Sequence, residues 1–257
     1  MEILGYVGAL FIGLVLGLTG GGGSILTVPI LVYLMSVSPV TATAYSLFIV
    51  GTTSTFGAIQ NYRKNLVDIK NGFIFAIPSF IAVYLTRKFI VPRIPEIIIE
   101  SPILITKNTF LMLFFAVIMI FGALSVLKKK SQDTNNEEKR NLILIGIQTF
   151  TIGIIIGLVG AGGGFLIIPS LILFAKLPMK KAVGTSLFII AMNSLVGFIG
   201  DVQNLEIDWQ FLLTFSAISV AGIFLGMYLT KYTNESQLKK IFAYFVLVMA
   251  AIILLKE

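Results

Sequence analysis

Two glycine clusters about 140 residues apart, GLTGGGGSILTVP (Gly17 to Pro29) and GLVGAGGGFLIIP (Gly157 to Pro169), each interrupt a nearly uncharged apolar stretch. In the core of a bilayer an exposed backbone N–H or C=O finds no water, so irregular backbone there is tolerated only inside protein or beside a wet cavity. Clustered glycines at that depth therefore mark a candidate site. The chain is 57% hydrophobic and 12% charged, against about 25% charged residues in soluble domains. It reads as an integral membrane protein.

Apolar runs near the ~18-residue threshold for a spanning helix recur at Gly72 to Thr86, extended by Phe89 to Val91, and at Thr109 to Leu127, Leu142 to Val159, Ala182 to Gly200, Phe211 to Thr230 and Ile241 to Leu255. The first residues, MEILGYVG, carry an acid where a secretory signal carries basic residues, so the first segment is expected to be retained. The absence of cysteine and histidine removes disulfides, thiolate chemistry and the commonest catalytic base and metal ligand. No enzyme activity and no cofactor are expected.

The second half repeats the first. Gly13, Gly17, Gly20, Gly22, Gly23, Leu26 and Pro29 match Gly153, Gly157, Gly160, Gly162, Gly163, Leu166 and Pro169. Ser46 to Ile49 match Ser186 to Ile189; Thr53, Ser54, Gly57 and Asp68 match Asn193, Ser194, Gly197 and Asp208; and Tyr84 to Arg87 resemble Tyr228 to Lys231. The polar stretch KKKSQDTNNEEKR lies between the copies. This divides the chain into a first transmembrane repeat (1–127), a cytoplasmic linker (128–140) and a second transmembrane repeat (141–257).

The net charge of +7 sits in short loops. Cytoplasmic loops of membrane proteins carry an excess of Lys and Arg. That rule places Arg63, Lys64 and Lys70, the linker, and the turn with Lys176, Lys180 and Lys181 inside. The repeat mate of the first basic loop is acidic, with Asp201, Glu206 and Asp208, and belongs outside. The expected fold is therefore an all-α polytopic membrane protein of two inverted repeats, each of about five helical segments, an architecture common in secondary transporters. The same topology puts Arg87 to Glu100 outside despite Arg87, Lys88 and Arg93. The scattered charge does not suit nucleic acid.

Each glycine cluster divides its stretch into a helix of about 16 to 18 residues and one of about 12 or 13, the shorter spanning roughly 20 Å of a core about 30 Å thick. The hairpins either cross fully twice or re-enter from one side. A helix starting after a glycine loop offers unpaired N–H groups and the positive end of its dipole to an anion. Gly20, Gly21, Gly22, Gly23 and Ser24, with Gly160, Gly162, Gly163 and Gly164, are the candidate anion-binding residues, Ser24 being placed to cap its helix or to donate a hydroxyl. The next helix of each half adds Ser46, Thr53 and Ser54 against Ser186, Asn193 and Ser194, neutral donors for an anion that must bind and leave. Asp68, Asp201 and Asp208 read as loop charges, and no carboxylate is expected deep in a span. The glycine loops lack the Lys-Ser/Thr ending of a nucleotide P-loop.

These motifs resemble the sulfite exporter TauE/SafE family, also called the 4-toluene sulfonate uptake permeases. The resemblance covers nearly the whole chain. It is carried by Gly157 to Pro169 followed by Lys181 to Leu187 and the helix to Gly197, and in the first half by the glycine motif, Ala42 to Leu47, Tyr62-Arg63 and Val67-Asp68. Tyr45 stands where the family tends to have a small residue, and Pro78 and the PRIPE loop replace the spacing that Gly222 and Gly226 keep in the second half. What the resemblance implies is a permease for small sulfur-containing anions in the cell membrane. A small-molecule anion and the lipid bilayer are the expected partners. An anion channel or a non-transporting membrane scaffold is the alternative reading.

Overall fold

A computed structural model describes residues 2–99, 105–127, 142–160, 162–230, 232 and 235–256. The expected polar linker, 128–140, lies outside the described residues. The first half forms helices α1 (Glu2–Thr19), α2 (Ser24–Tyr33), α3 (Pro39–Arg63), α4 (Ile69–Leu85) and α5 (Lys107–Leu127). The second forms α6 (Leu142–Val159), α7 (Gly164–Phe174), α8 (Met179–Asp201), α9 (Trp209–Leu229) and α10 (Glu235–Lys256). The all-α expectation holds apart from a small antiparallel hairpin in which β1 (Ile97–Ile99) pairs with β2 (Ile105–Thr106). Pro92 and Pro95 stop helix propagation just before it, and β-branched isoleucines suit the pairing.

Local chemistry sets the helix ends. Ser38 caps α3 by accepting from the N–H of Thr41 at 3.3 Å, with Pro39 in the first turn. Asp68 caps α4 through the N–H of Asn71 at 3.0 Å, and its repeat mate Asp208 caps α9 through the N–H of Phe211 at 3.0 Å. Both aspartates are thus placed by their helix starts. α1 and α6 both stop at a glycine with positive φ, Gly20 at 74° and Gly160 at 71°, a region that a Cβ disfavours. The helices that follow are short. At 1.5 Å per residue the 10 residues of α2 and 11 of α7 reach roughly 15 to 17 Å, about half a bilayer core.

Packing register gives the helix directions. On α3 and α8 Phe48 meets Phe198 with ring centroids 5.0 Å apart, Gly51 faces Leu195 and Gly57 faces Leu187, an antiparallel run. Leu10 and Leu14 of α1 lie against Gly222 and Gly226 of α9 in parallel order, and Gly153 and Gly157 of α6 lie against Ser79 and Thr86 along α4 and its extension. Small residues let these backbones approach closely. α3 follows α9 in the same sense, through Thr53 with Ser219 and Gly57 with Ile223; α4 follows α8, through Gly72 with Thr185 and Ser79 with Asn193. So α1, α3 and α9 run one way and α4, α6 and α8 the other.

The bundle has two chemically distinct ends. The N–H of Asp68 donates to Thr185 Oγ1 at 2.9 Å, bringing the loop with Arg63, Lys64 and Lys70 beside the turn with Lys176, Lys180 and Lys181. At the opposite end the N–H of Asp208 donates to the Tyr45 hydroxyl at 2.7 Å, near Asp201 and Glu206. Between the ends the exterior is apolar, with Ile77, Ile199, Leu213 and Val248 exposed, as lipid contact requires. Among the described residues, Ile69–Arg93, Met179–Asp201 and Trp209–Leu229 are long and apolar enough to cross a membrane. The remaining expected spans are helical as well, in α5, α6 and α10.

Candidate functional site

The two glycine loops meet backbone to backbone. A Cβ on Gly21 would strike the main chain of Gly164, and one on Gly164 would strike Gly21. α2 and α7 start at this crossing, so the N-termini of two short helices are brought together inside the bundle. Gly162, at φ 64°, sits against Val50, Ile190 and Ser194 Oγ, which ties its loop to the middles of α3 and α8. Gly163, at φ 69°, precedes α7 directly, while Gly23 packs on the α1 backbone at Ile12 and Leu16.

Several hydroxyls near the loops are committed to the main chain. Ser24 does not cap α2 as its sequence position suggests: its Oγ donates to the Gly21 carbonyl at 2.7 Å and braces the turn. Thr19 Oγ1 accepts from the Gly22 N–H at 2.9 Å while donating to the Val15 carbonyl at 2.8 Å. Ser186 Oγ lies 2.6 Å from the Gly20 carbonyl and 2.8 Å from that of Val183, so it anchors the first loop to the start of α8.

The hydroxyl helices behave as a matched pair. Thr53 Oγ1 donates to Ser219 Oγ at 3.1 Å, and Ser79 Oγ donates to Asn193 Oδ1 at 2.9 Å. Thr53 and Asn193 are repeat mates, and Ser79 and Ser219 stand at the same offset of about 140 residues. Ser79 and Ser219 escaped the sequence reading, although that offset was a signal able to find them. On α3 and α8 four neutral polar groups, Ser46 Oγ, Ser54 Oγ, Ser194 Oγ and Asn193 Nδ2, are fully buried and lack a hydrogen-bond partner among the described residues. An unsatisfied buried donor or acceptor costs about 1–3 kcal/mol. A polar ligand or water would remove that cost.

Two charges also differ from expectation. Arg87 is no outer-loop residue and Asp201 is no solvated loop charge: Arg87 is 0% exposed, Asp201 4%, and Arg87 Nη1 lies 3.3 Å from Asp201 Oδ2. The cause is tertiary. The helix begun by α4 continues through a π-helical turn, Thr86–Ile90, and Gly200 has no side chain to keep the Arg87 stem off α8. Nη1 donates to Thr43 Oγ1 at 3.0 Å, while Nε and Nη2 have no hydrogen-bond partner among the described residues. A carboxylate therefore does lie inside the protein. The repeat mate of Asp201 is Asn61, whose Nδ2 donates to the Gly57 carbonyl at 2.9 Å, so the first half has no carboxylate at the equivalent position.

The family model for the sulfite exporter TauE/SafE family matches residues 6–253. The chain belongs to the TauE/SafE family. A "probable membrane transporter protein" of Xylella fastidiosa is 26% identical over 246 residues, covering 93% of this chain and 89% of that protein. "Probable membrane transporter protein YunE" of Bacillus subtilis is 28% identical and covers 79% of each chain. "Probable membrane transporter protein MJ0441" of Methanocaldococcus jannaschii is 35% identical over 41% of each chain. No solved structure matches significantly.

This TauE/SafE chain is a membrane transporter, with its glycine motifs crossing inside the bundle. Among the described residues no group of three or more acidic, histidine or cysteine side chains could hold a metal ion. A cleft at the acidic end, lined by Met35, Thr41, Tyr45, Asp208 and Phe211, opens between the α2–α3 connection and the start of α9. It is separate from the glycine crossing, and Tyr45, the residue that departs from the family pattern, forms part of its wall.

Proposed function

We propose that the protein is a multi-pass secondary transporter of the prokaryotic cell membrane that carries small anions, in particular sulfur-containing oxyanions such as sulfite. Two inverted repeats, 1–127 and 141–257, alternate access to a shared central site, and the basic end of the bundle faces the cytoplasm. The observation that carries this reading is the meeting of Gly21 and Gly164 at the starts of α2 and α7, with Ser46 Oγ, Ser54 Oγ, Asn193 Nδ2 and Ser194 Oγ on the flanking helices lacking a partner among the described residues. Helix N-termini favour negative charge, and neutral donors let the anion leave again. Opposite directions of α3 and α8 support the inverted arrangement, and the segregation of lysines and arginines from Glu206 and Asp208 supports the orientation.

The test is flux of radiolabelled sulfite, with thiosulfate and sulfoacetate in parallel, into proteoliposomes with and without imposed proton or sodium gradients. Saturable flux accelerated by one gradient is expected, and Gly162→Leu should abolish it with expression retained. Absence of flux from folded protein would remove the sulfur-anion assignment. Currents too large for a carrier cycle would convert it to a channel.

A further inference from the structure

We infer that Arg87 is the cation of the transport site and that the transported anion takes the place of Asp201 as its partner. This rests on the anion-transport reading above. A guanidinium offers five N–H donors in a planar fork suited to oxyanions. In this protein the fork is fully buried and, among the described residues, makes one hydrogen bond, to a neutral hydroxyl, Thr43 Oγ1 at 3.0 Å. Asp201 stands 3.3 Å from Nη1 on one oxygen and makes no bidentate contact, while Nε and Nη2 have no hydrogen-bond partner among the described residues. A buried pair that serves structure alone needs its remaining donors satisfied to offset desolvation. Arg87 is held under-satisfied.

Its surroundings connect it to the glycine loop. A Cβ on Gly160 would collide with Thr43 and come within 2.6 Å of Arg87 Nη2, so the loop's first residue and the guanidinium share one wall. The π-helical turn Thr86–Ile90 shifts the register of the helix at Arg87, a device frequent at functional sites. An anion bound by neutral hydroxyls alone would bury an uncompensated charge; Arg87 compensates it once the displaced Asp201 carboxylate, itself buried, takes up a proton. Asn61 stands where the repeat would place the aspartate in the other half, and Arg87–Asp201 is the one such cation–carboxylate pair among the described residues, at the end opposite the basic loops.

Competition between the anion and Asp201 gives the test. Purified full-length protein in mild detergent is titrated with sulfite, thiosulfate and sulfate, reading thermal stabilisation and equilibrium binding of the labelled anion. Asp201→Asn should bind at least about tenfold more tightly, a factor equal to about 1.4 kcal/mol, because the internal competitor is gone. Arg87→Lys should bind at least about tenfold more weakly, having lost the fork. The double variant Arg87→Gln/Asp201→Asn, which leaves no unpaired charge and so keeps the fold, should show no saturable binding. Binding to that double variant with wild-type affinity would overturn the role of Arg87 while leaving the anion-transport reading intact. Unchanged or weaker binding by Asp201→Asn would overturn the exchange of partners. No binding of any of the three anions by wild-type protein would overturn both this inference and the reading beneath it.

Discussion

The contact between Gly21 and Gly164 is the tightest constraint in the candidate site, and adding a single methyl group tests it. Gly164 is the first residue of α7, where alanine by propensity alone would be favoured by up to about 1 kcal/mol. The methyl would point into the main chain of Gly21, and a backbone cannot rotate away as a side chain can. Overpacking of this kind costs about 1–3 kcal/mol, which less a gain of about 1 leaves Gly164→Ala about 0–2 kcal/mol less stable, with a central value of about 1. Gly146, within α6, is the control, because nothing lies within 4 Å of a Cβ built there. Gly146→Ala should be neutral or gain up to about 1 kcal/mol. Equilibrium unfolding in detergent micelles, with sulfite flux measured on the same preparations, reads both. If Gly164→Ala proved as stable as Gly146→Ala, the two glycine loops would not be in contact, and the site built on their crossing would fall.

Other expectations follow from individual contacts. Double-mutant cycles on Thr53→Val with Ser219→Ala, and on Ser79→Ala with Asn193→Ala, should each give a coupling of about 0.6 kcal/mol, the usual worth of such bonds in membranes; zero coupling in both would deny the paired polar layer. Arg87→Gln alone should cost about 3–5 kcal/mol by stranding the Asp201 carboxylate, and adding Asp201→Asn should recover most of it; unfolding midpoints of the two variants decide this. Since the chain has no cysteine, single cysteines at Lys64, Lys180 and Glu206 can be labelled cleanly. An impermeant maleimide applied to sealed vesicles should reach Lys64→Cys and Lys180→Cys from one face and Glu206→Cys from the other, and labelling of all three from one face would refute the orientation.

Much of the helical plan was legible because membrane helices are written in long apolar runs and glycine breaks. The stops after α1 and α6 at Gly20 and Gly160 are local: a positive φ favours glycine, which has no Cβ to oppose it. The caps at Asp68 and Asp208 depend on the residues three places on, so the repeat exposed them as a pair. Ser24 stayed open between capping its helix and donating its hydroxyl, and the fold of the turn selects donation, to the Gly21 carbonyl. Arg87 and Asp201 were misjudged. Hydropathy assigns charges at the ends of apolar runs to loops, yet these two belong to different halves and neutralise one another only after the halves pack.

The sequence alone determined that this chain is helical, embedded and broken twice by glycine, since each property follows from residue type and spacing within one segment. Tertiary structure alone decided that Gly21 touches Gly164, that Ser79 and Ser219 complete the hydroxyl layer, and that a guanidinium lies against the second glycine loop. Those contacts join residues more than 60 positions apart. Such partners meet only when helices from both halves interdigitate, and no local preference records which distant side chain will complete a buried hydrogen bond or balance a buried charge.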